Sequence, residues 1–111
     1  MTLDDLRRHA HEKSQEWFPA IHERPIDFLI QSALGLAGET GEAVDVIKKW
    51  HRKPYTEPID RAKLGPELAD VFVYLLHLCT AAGIDLEDEY FRKSAENETR
   101  FGTPQSVTQG G

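Results

Sequence analysis

The feature that most constrains the fold of this chain is the helical spacing of its apolar residues. They recur every three or four positions in four segments, and proline or glycine separates each segment from the next. No stretch alternates apolar and polar residues for long enough to predict a strand. We therefore predict an all-α fold built as a four-helix bundle. The helices are expected at about 2–18, 25–50, 67–82 and 86–101.

The boundaries of the last two helices depend on a few residues with strong backbone effects. Gly65 and Pro66 are expected to precede and open the third helix, because proline is tolerated in a first turn. Gly83 should end that helix, since glycine adopts the left-handed conformation that terminates helices. Asp85 is then placed to cap the fourth helix.

The length of 111 residues suits one domain with one core. We assign residues 1–101 to that domain. Residues 102–111 are small and polar with one valine, so this tail should bury little and is expected to be disordered. The lone cysteine, Cys79, has apolar neighbours and is predicted to be a reduced core residue.

Charge and hydropathy limit the classes of partner. A net charge of −6 repels polyanions, so neither a nucleic acid polymer nor an anionic membrane is a predicted partner. A small anionic ligand would need a bridging metal ion. The chain opens with charged residues, and no later stretch approaches the ~18 uncharged apolar residues of a membrane span. The sequence therefore predicts a cytoplasmic protein.

Carboxylates interrupt the apolar faces of the second and third predicted helices. Glu39 falls inside the stripe of the second helix, and Glu42 lies on its margin. On the third helix, Glu67 lies about 40° from the centre of the stripe and Asp70 about 100° away. The stripes are formed by Leu29, Ala33, Leu36, Ala43 and Ile47 on the second helix and by Leu64, Leu68, Val71, Leu75, Leu78 and Ala82 on the third.

An isolated buried carboxylate is costly or becomes protonated, so two such helices are consistent if their acids converge on a cation. The spacing of three residues within each pair puts both carboxylates on neighbouring turns. Oxygen ligands without obligatory histidine or cysteine favour Mg²⁺ or Mn²⁺ over zinc. The competing interpretation is that these acids are ordinary exposed helix charge.

Sequence motifs around these acids resemble those of the MazG-like nucleotide pyrophosphohydrolases. The segments Gly38-Glu39-Thr40-Gly41-Glu42-Ala43 and Glu67-Leu68-Ala69-Asp70-Val71 look like the E-x-x-E and E-x-x-D signatures of that family. Tyr74-Leu75-Leu76, Gly83-Ile84-Asp85-Leu86 and the terminal pattern Lys93, Asn97, Arg100 and Phe101 are also similar to the family. The likeness covers roughly residues 28 to 101 and leaves the preferred nucleotide open.

The resemblance implies a function and a set of roles. It implies that Glu39, Glu42, Glu67 and Asp70 hold Mg²⁺, and that water attacks the α-phosphorus of a nucleoside triphosphate to release pyrophosphate. Glu39 is the candidate for orienting or deprotonating the water, a role that the sequence does not separate from metal ligation. The family also implies assembly as a homodimer or a homotetramer that is a dimer of dimers.

Residues outside the acidic motifs are candidates for binding substrate. Lys93, Asn97 and Arg100 share one face of the fourth helix and suit phosphate oxygens, the alternative being solvated charge. Three aromatic residues are candidates for contacting the base, with core packing as the alternative. They are Trp17, Trp50 and Tyr74.

The five histidines show no metal-ligand spacing. We interpret His77 as a structural histidine with its hydrogen bonds satisfied, the alternative being contact with water or substrate. The other four are interpreted as surface residues.

The face of the third helix opposite its acids is also apolar, which predicts a buried interface between two copies. That face is formed by Ala69, Phe72, Val73 and Leu76.

Two other functions remain open from the residues alone. A di-metal carboxylate bundle would account for the paired acids, but this sequence lacks the E-x-x-H pairs expected of such a bundle. A non-catalytic helical interaction module would leave the acids as surface charge.

Overall fold

The computed structural model describes residues 1–53 and 57–102 of the chain. In these ranges the protein is all-α, as predicted, with four α-helices and one short 3₁₀ turn. The predicted tail lies outside the described residues except for Gly102. The helices are α1 (Leu3–Trp17), α2 (Pro25–His51), α3 (Arg61–Ala82) and α4 (Leu86–Phe101), and the 3₁₀ turn is Pro19–His22.

Capping side chains begin two of these helices where the sequence predicted. Thr2 and Asp5 exchange hydrogen bonds at the start of α1: the Asp5 amide donates to Thr2 Oγ1 at 3.1 Å, and the Thr2 amide donates to Asp5 Oδ2 at 2.8 Å. These bonds lower the pKa of Asp5. At α4, the Asp88 amide donates to Asp85 Oδ1 at 3.1 Å. Gly83, with φ of 67°, closes α3 in the left-handed conformation.

The start of α3 differs from the prediction. The helix begins at Arg61 rather than Glu67, and Pro66 lies inside it. Asp60 is the cap, because its carboxylate accepts hydrogen bonds from the amides of Ala62 and Lys63. Contrary to the prediction, Pro66 is therefore not in the first turn, because the Asp60 cap starts a turn that then continues through Pro66.

The core lies where the antiparallel helices α2 and α3 pack together, with α1 across them. The register is visible in two pairs of contacts: the Phe28 ring lies near His77, and Gly35 lies against Tyr74. α1 is joined to α3 by a hydrogen bond of 3.0 Å from the Arg7 guanidinium to Thr80 Oγ1. The buried apolar residues are Phe28, Ala43, Leu76 and Cys79.

The buried faces are rotated slightly from the predicted stripes. Leu68 is 51% exposed although it was assigned to the stripe of α3, and Ala33 and Ile47 of α2 are exposed as well. Leu76, which was assigned to the opposite face, is 2% exposed. The cause is that α1 and α2 both contact α3, so α3 buries more than one side along its second half. Cys79 is buried, as predicted, and burial raises the pKa of its thiol.

The fourth helix extends away from the core. Within the described residues α4 packs mainly against α1, near its own first turn, and none of its residues is buried. The Cα radius of gyration is 18.2 Å, compared with about 13 Å for a compact domain of 100 residues. The predicted bundle is therefore a three-helix core with a projecting fourth helix. This helix exposes the large side chains of Tyr90, Phe91 and Phe101.

Among the described residues, one helix is long and apolar enough to cross a membrane by length and composition. α3 qualifies on those two criteria, although Glu67 and Asp70 lie within it. The core helix of a soluble protein passes the same test, so this finding is weak evidence for a membrane.

Candidate active site

Three of the four predicted ligands converge where α2 and α3 pack. Glu39 projects from α2, and Glu67 and Asp70 project from neighbouring turns of α3. One carboxylate oxygen from each residue can be chosen so that all three lie within 4.8 Å of one another. Because α2 and α3 are antiparallel, residues far apart in the sequence are brought to one place. We call Glu39, Glu42, Glu67 and Asp70 the acidic seam.

Electrostatics in the acidic seam is unfavourable without a cation. Glu39 Oε2 and Glu67 Oε2 are buried and have no hydrogen-bond partner. Burial, followed by the charge of Glu42 and then of Asp70, raises the pKa of Glu39. Burial, followed by hydrogen bonding and charge from Glu42, raises the pKa of Glu67. Desolvation and repulsion from neighbouring carboxylates therefore disfavour the charged form of both glutamates.

The fourth predicted ligand, Glu42, lies at the edge of the acidic seam. Its side chain is exposed and outside the tight group of three, but it is close enough to perturb both buried glutamates. The donor set therefore consists of carboxylate oxygens, two of them buried and unpartnered. Such a set fits a hard divalent cation such as Mg²⁺ or Mn²⁺. The group of three contains no histidine, which a di-metal redox site of the E-x-x-H type would require.

A pocket of about 610 Å³ opens beside the acidic seam and includes Glu39 and Asp70 in its wall. Its remaining lining comes from α1, the 3₁₀ turn, α2 and α3. The aromatic residues in this wall are Trp17, Phe18, Phe28 and Tyr74. We call this cavity the aromatic pocket.

Two predicted base-binding residues lie in the aromatic pocket. Trp17 is 62% exposed, and the Lys13 ammonium lies 5.7 Å from the centroid of its ring. Tyr74 is half-buried and packs against the backbone of α2 at Gly35. A Cβ at Gly35 would lie 2.6 Å from Tyr74 Cζ, so only glycine leaves room for the ring. Gly35 thus fixes Tyr74 one turn beyond Asp70, at the mouth of the acidic seam.

Trp50 lies elsewhere. Its indole nitrogen donates a hydrogen bond of 2.8 Å to the carbonyl oxygen of Glu57. The residue lines a separate cavity of about 740 Å³ at the end of α2 and is not part of the aromatic pocket. Within the described part of one chain, Trp50 is therefore not brought to the acidic seam.

The predicted phosphate ligands on α4 are also remote from the acidic seam. Lys93 lies 3.5 Å from the Glu96 carboxylate, and the Arg100 guanidinium lies 5.1 Å from the centroid of the Phe101 ring. Asn97 is half-buried. A second cavity borders the acidic seam and includes Glu42 and Glu67 in its wall. Neither this cavity nor the aromatic pocket includes a residue of α4. A single chain therefore does not bring these three side chains to the acids.

The histidines are organised differently from the prediction. His77 is 8% exposed, as expected of a structural residue, but its Nδ1 is buried without a hydrogen-bond partner. His11 and His22 were interpreted as surface residues, and both are half-buried around the Phe28 ring. Burial, reinforced by neighbouring positive charge, lowers the pKa of His11 and His77. Their neutral forms are favoured.

Several residues of the aromatic pocket are not among the predicted site residues. Phe18 follows α1, and Phe28 lies near the start of α2, outside the motifs that the resemblance emphasised. Ser14 and Ser32 are small polar residues whose burial depends on packing between helices. A helical projection starting from Glu39 would place Phe28, Ser32 and Gly35 near its side of α2. That signal was present in the sequence.

Comparisons with known proteins find similar sequences. The family model described as the MazG nucleotide pyrophosphohydrolase domain matches residues 28–100, which include the whole acidic seam. Relatives named dCTP pyrophosphatase 1 from Mus musculus and Homo sapiens are each 32% identical over 105 residues. The relative of the same name from Bos taurus is 32% identical over 108 residues. In each case the match covers 90% of this chain but only 59% of the relative.

Proposed function

The chain belongs to the MazG nucleotide pyrophosphohydrolase family, and from that premise we propose that it hydrolyses nucleoside triphosphates to monophosphates and pyrophosphate. The observation that carries the proposal is the convergence of Glu39, Glu67 and Asp70 beside an open aromatic pocket. Buried carboxylates that repel one another are costly unless a cation compensates them. A metal-assisted reaction on an anionic substrate accounts for both the acids and the neighbouring space.

The residues fit Mg²⁺, with Mn²⁺ as an alternative, held by the acidic seam. The unpartnered oxygens Glu39 Oε2 and Glu67 Oε2 offer ligand positions, and Asp70 and Glu42 supply further charge. When bound, a divalent cation supplies positive charge to phosphate oxygens and makes water more acidic. The net charge of −6 would otherwise disfavour a triphosphate at this surface.

We assign the proton-accepting role to Glu39. Glu39, like Asp70, belongs to the acidic seam and lines the aromatic pocket, so it lies beside both the cation ligands and the space for a nucleotide. Glu39 would orient a water molecule toward the α-phosphorus and accept a proton from that water. Glu67 and Asp70 would hold the cation.

The base is assigned to the aromatic pocket. Trp17 presents an exposed ring, and Tyr74 is fixed against Gly35 close to Asp70. Flat aromatic faces of this kind suit a nucleobase. Because the relatives are named for dCTP, deoxycytidine triphosphate is the first substrate to test, followed by the other common nucleoside triphosphates. Clearance of unwanted nucleotides from the cytoplasmic pool is a role compatible with this chemistry.

The phosphate-binding role of α4 requires a second copy of the chain. Lys93, Asn97 and Arg100 do not reach the acidic seam of their own chain, and α4 projects from the core. Phe72 and Leu68 also leave apolar surface on α3. We propose a homodimer, or a homotetramer formed from two dimers, in which α4 of one copy approaches the acids of the other. Trp50 would join a site by the same route.

Product analysis tests the proposed function. Purified protein is incubated with dCTP and Mg²⁺ in water enriched in heavy oxygen, and the products are separated and weighed by mass spectrometry. We expect dCMP and pyrophosphate, with the label in dCMP, because water attacks the α-phosphorus. Release of dCDP and inorganic phosphate, or label in pyrophosphate, would contradict the proposed reaction.

A further inference from the structure

The buried polar residues of the described chain gather in one place. They are Ser14, Ser32 and His77, which are 8%, 2% and 8% exposed. All three line the aromatic pocket. They come from α1, α2 and α3 respectively, so only the packed fold brings them together.

Burial of these groups has a free-energy cost that apolar residues would avoid. Taking a hydroxyl or imidazole out of water is destabilising when the group lacks a hydrogen bond. Apolar side chains of similar size would fill the same volume without that penalty. Of the three, His77 bears this cost, because its Nδ1 is buried without a partner, and Ser14 and Ser32 line the same pocket; a polar ligand in that pocket would complete the hydrogen bond of His77.

His77 carries the clearest unmet hydrogen bond. Its Nδ1 is buried and has no partner. The ring is held between aromatic neighbours, with centroids 5.6 Å from Phe28 and 6.0 Å from Tyr74. Burial lowers its pKa, so the neutral ring offers one donor and one acceptor.

Ser14 has a partner that leaves it able to bind further. Its hydroxyl and His22 Nε2 are 2.9 Å apart and share one hydrogen bond. A hydroxyl can make one donor and two acceptor contacts, so capacity remains for a ligand. His22 in turn packs against Phe28, with ring centroids 4.5 Å apart. The serine is thus held in position by the same aromatic group that holds His77.

We propose that Ser14, Ser32 and His77 form a polar floor of the aromatic pocket that binds the hydrogen-bonding edge of the substrate base, with His77 as its principal specificity residue. The inference rests on the proposed function, since it assigns the base to the same pocket. It adds a chemical class of ligand group: a heterocyclic edge with donors and acceptors. The aromatic residues supply stacking, which any base satisfies, whereas the polar floor discriminates among bases.

The test compares natural substrates with one that cannot form these hydrogen bonds. Values of kcat/KM are measured for the four common deoxynucleoside triphosphates and for difluorotoluene deoxyribonucleoside triphosphate, a pyrimidine-shaped analogue. The ratio between the best natural substrate and the analogue measures recognition of the polar edge. We expect wild-type protein to favour the natural substrate by about tenfold or more, as a lost buried hydrogen bond requires.

Two substitutions at His77 separate hydrogen bonding from packing. His77→Phe keeps a flat ring and should reduce the ratio by about tenfold, whereas His77→Gln keeps donors and acceptors and should retain part of it. Cys79→Ala is the matched control: it alters a buried residue of the same helix outside the aromatic pocket, so it should leave the ratio unchanged. If the His77 variants do not fold, Ser32→Ala takes their place.

The outcomes are distinguishable from failure of the proposed function. If no triphosphate is hydrolysed by wild-type protein, the proposed function and the polar floor both fail. If hydrolysis occurs but wild-type protein accepts the analogue equally well, the polar floor alone is overturned. An unchanged ratio in folded His77→Phe would also overturn it and would return His77 to a packing role.

Discussion

The acidic seam and α4 both carry charged residues of the family's sequence motifs. Packing within one chain brings the acids of the seam together, but it does not bring the cations of α4 to them. In the acidic seam, the packing of α2 against α3 brings one carboxylate oxygen from each of Glu39, Glu67 and Asp70 within 4.8 Å of the other two. On α4, the cationic residues lie on a helix that leaves the core. Helical spacing predicts which side chains share a face, but not what that face contacts.

The difference has a physical origin in buried area. α2 and α3 bury apolar residues along their shared length, which fixes the register of their acids. α4 has no buried residue within the described chain, and its large aromatic side chains are exposed. An exposed apolar surface of this kind is typical of an interface, and we propose that its partner is a second copy of the chain.

The largest expected effect is in the acidic seam. Glu39→Gln or Asp70→Asn should lower kcat/KM for the triphosphate by about a hundredfold or more, because each removes charge at the reaction centre. Circular dichroism should show an unchanged fold. Asp45→Asn is the control, since Asp45 is an exposed acid of α2 paired with Lys49 at 2.8 Å. Full activity in either seam variant would reject the assignment.

The next effect concerns assembly. Phe72→Glu places a charge on the exposed apolar face of α3 and should weaken a dimer by several kcal/mol if that face is buried between copies. Phe72 is chosen over Val73 because Val73 lines the aromatic pocket. Light scattering coupled to size exclusion measures the mass. A wild-type monomer at micromolar concentration would contradict the proposed assembly.

The cations of α4 should have a smaller effect, on substrate binding. Lys93→Ala or Arg100→Ala should raise KM by roughly ten- to a hundredfold, on the scale of ~1.5–3 kcal/mol per charge-assisted contact. Arg92→Ala is the control on the same helix, because Arg92 pairs with Asp88 and Glu89. Unchanged kinetics in the first two variants would assign these residues to solvated surface charge.

Mixing variants sharpens the comparison between the two regions. Glu39→Gln and Arg100→Ala proteins are unfolded together, refolded together and assayed for hydrolysis. If α4 acts on the acids of another copy, mixed dimers contain one intact site, and activity should exceed the sum of the separate proteins. Activity equal to that sum would indicate that each α4 serves its own chain or no site.

The smallest effect is on stability. The ordinary pKa of a glutamate is 4.5, and Glu39 and Glu67 titrate above it in the folded protein. Their protonated forms therefore favour folding, and this contribution is lost as pH rises from 4.5 through the raised values. Metal-free wild-type protein should melt a few degrees lower at neutral pH than Glu39→Gln. The opposite order would contradict repulsion within the acidic seam.

Burial of the histidines changes stability with pH in the opposite direction. The comparison of wild-type protein with Glu39→Gln is therefore needed to separate the two effects. His11 and His77 have lowered pKa values, so the stability they contribute is present above the ordinary value of 6.5 and falls as pH drops below it. A melting curve of one protein over pH mixes the two effects. The difference between wild-type and Glu39→Gln melting temperatures isolates the glutamate, because both proteins retain the histidines.

The sequence predicted what local spacing determines. The helical class, the cap at α4 and the position of Glu39 and Glu67 on partly buried faces follow from residues a few positions apart, whereas the convergence of the acids requires the packing of α2 against α3. The start of α3 was wrong because the Asp60 cap was overlooked in favour of Pro66.

What the sequence did not predict depends on packing between helices. The positions of His11 and His22 around Phe28 require α1 and the 3₁₀ turn to fold onto α2, which no periodicity encodes. The separation of Trp50 from Trp17 and Tyr74 has the same origin, since it depends on where each helix ends.

The most direct test of the central claim is cation binding by the acidic seam. Isothermal titration calorimetry with Mn²⁺, and then with Mg²⁺, is carried out on wild-type protein, Glu39→Gln, Glu67→Gln and the control Asp45→Asn. We predict that wild-type protein and the control bind the cation alike, and that both seam variants bind at least about tenfold more weakly. Equal affinity in all four proteins would contradict the claim that these converging carboxylates form the metal site.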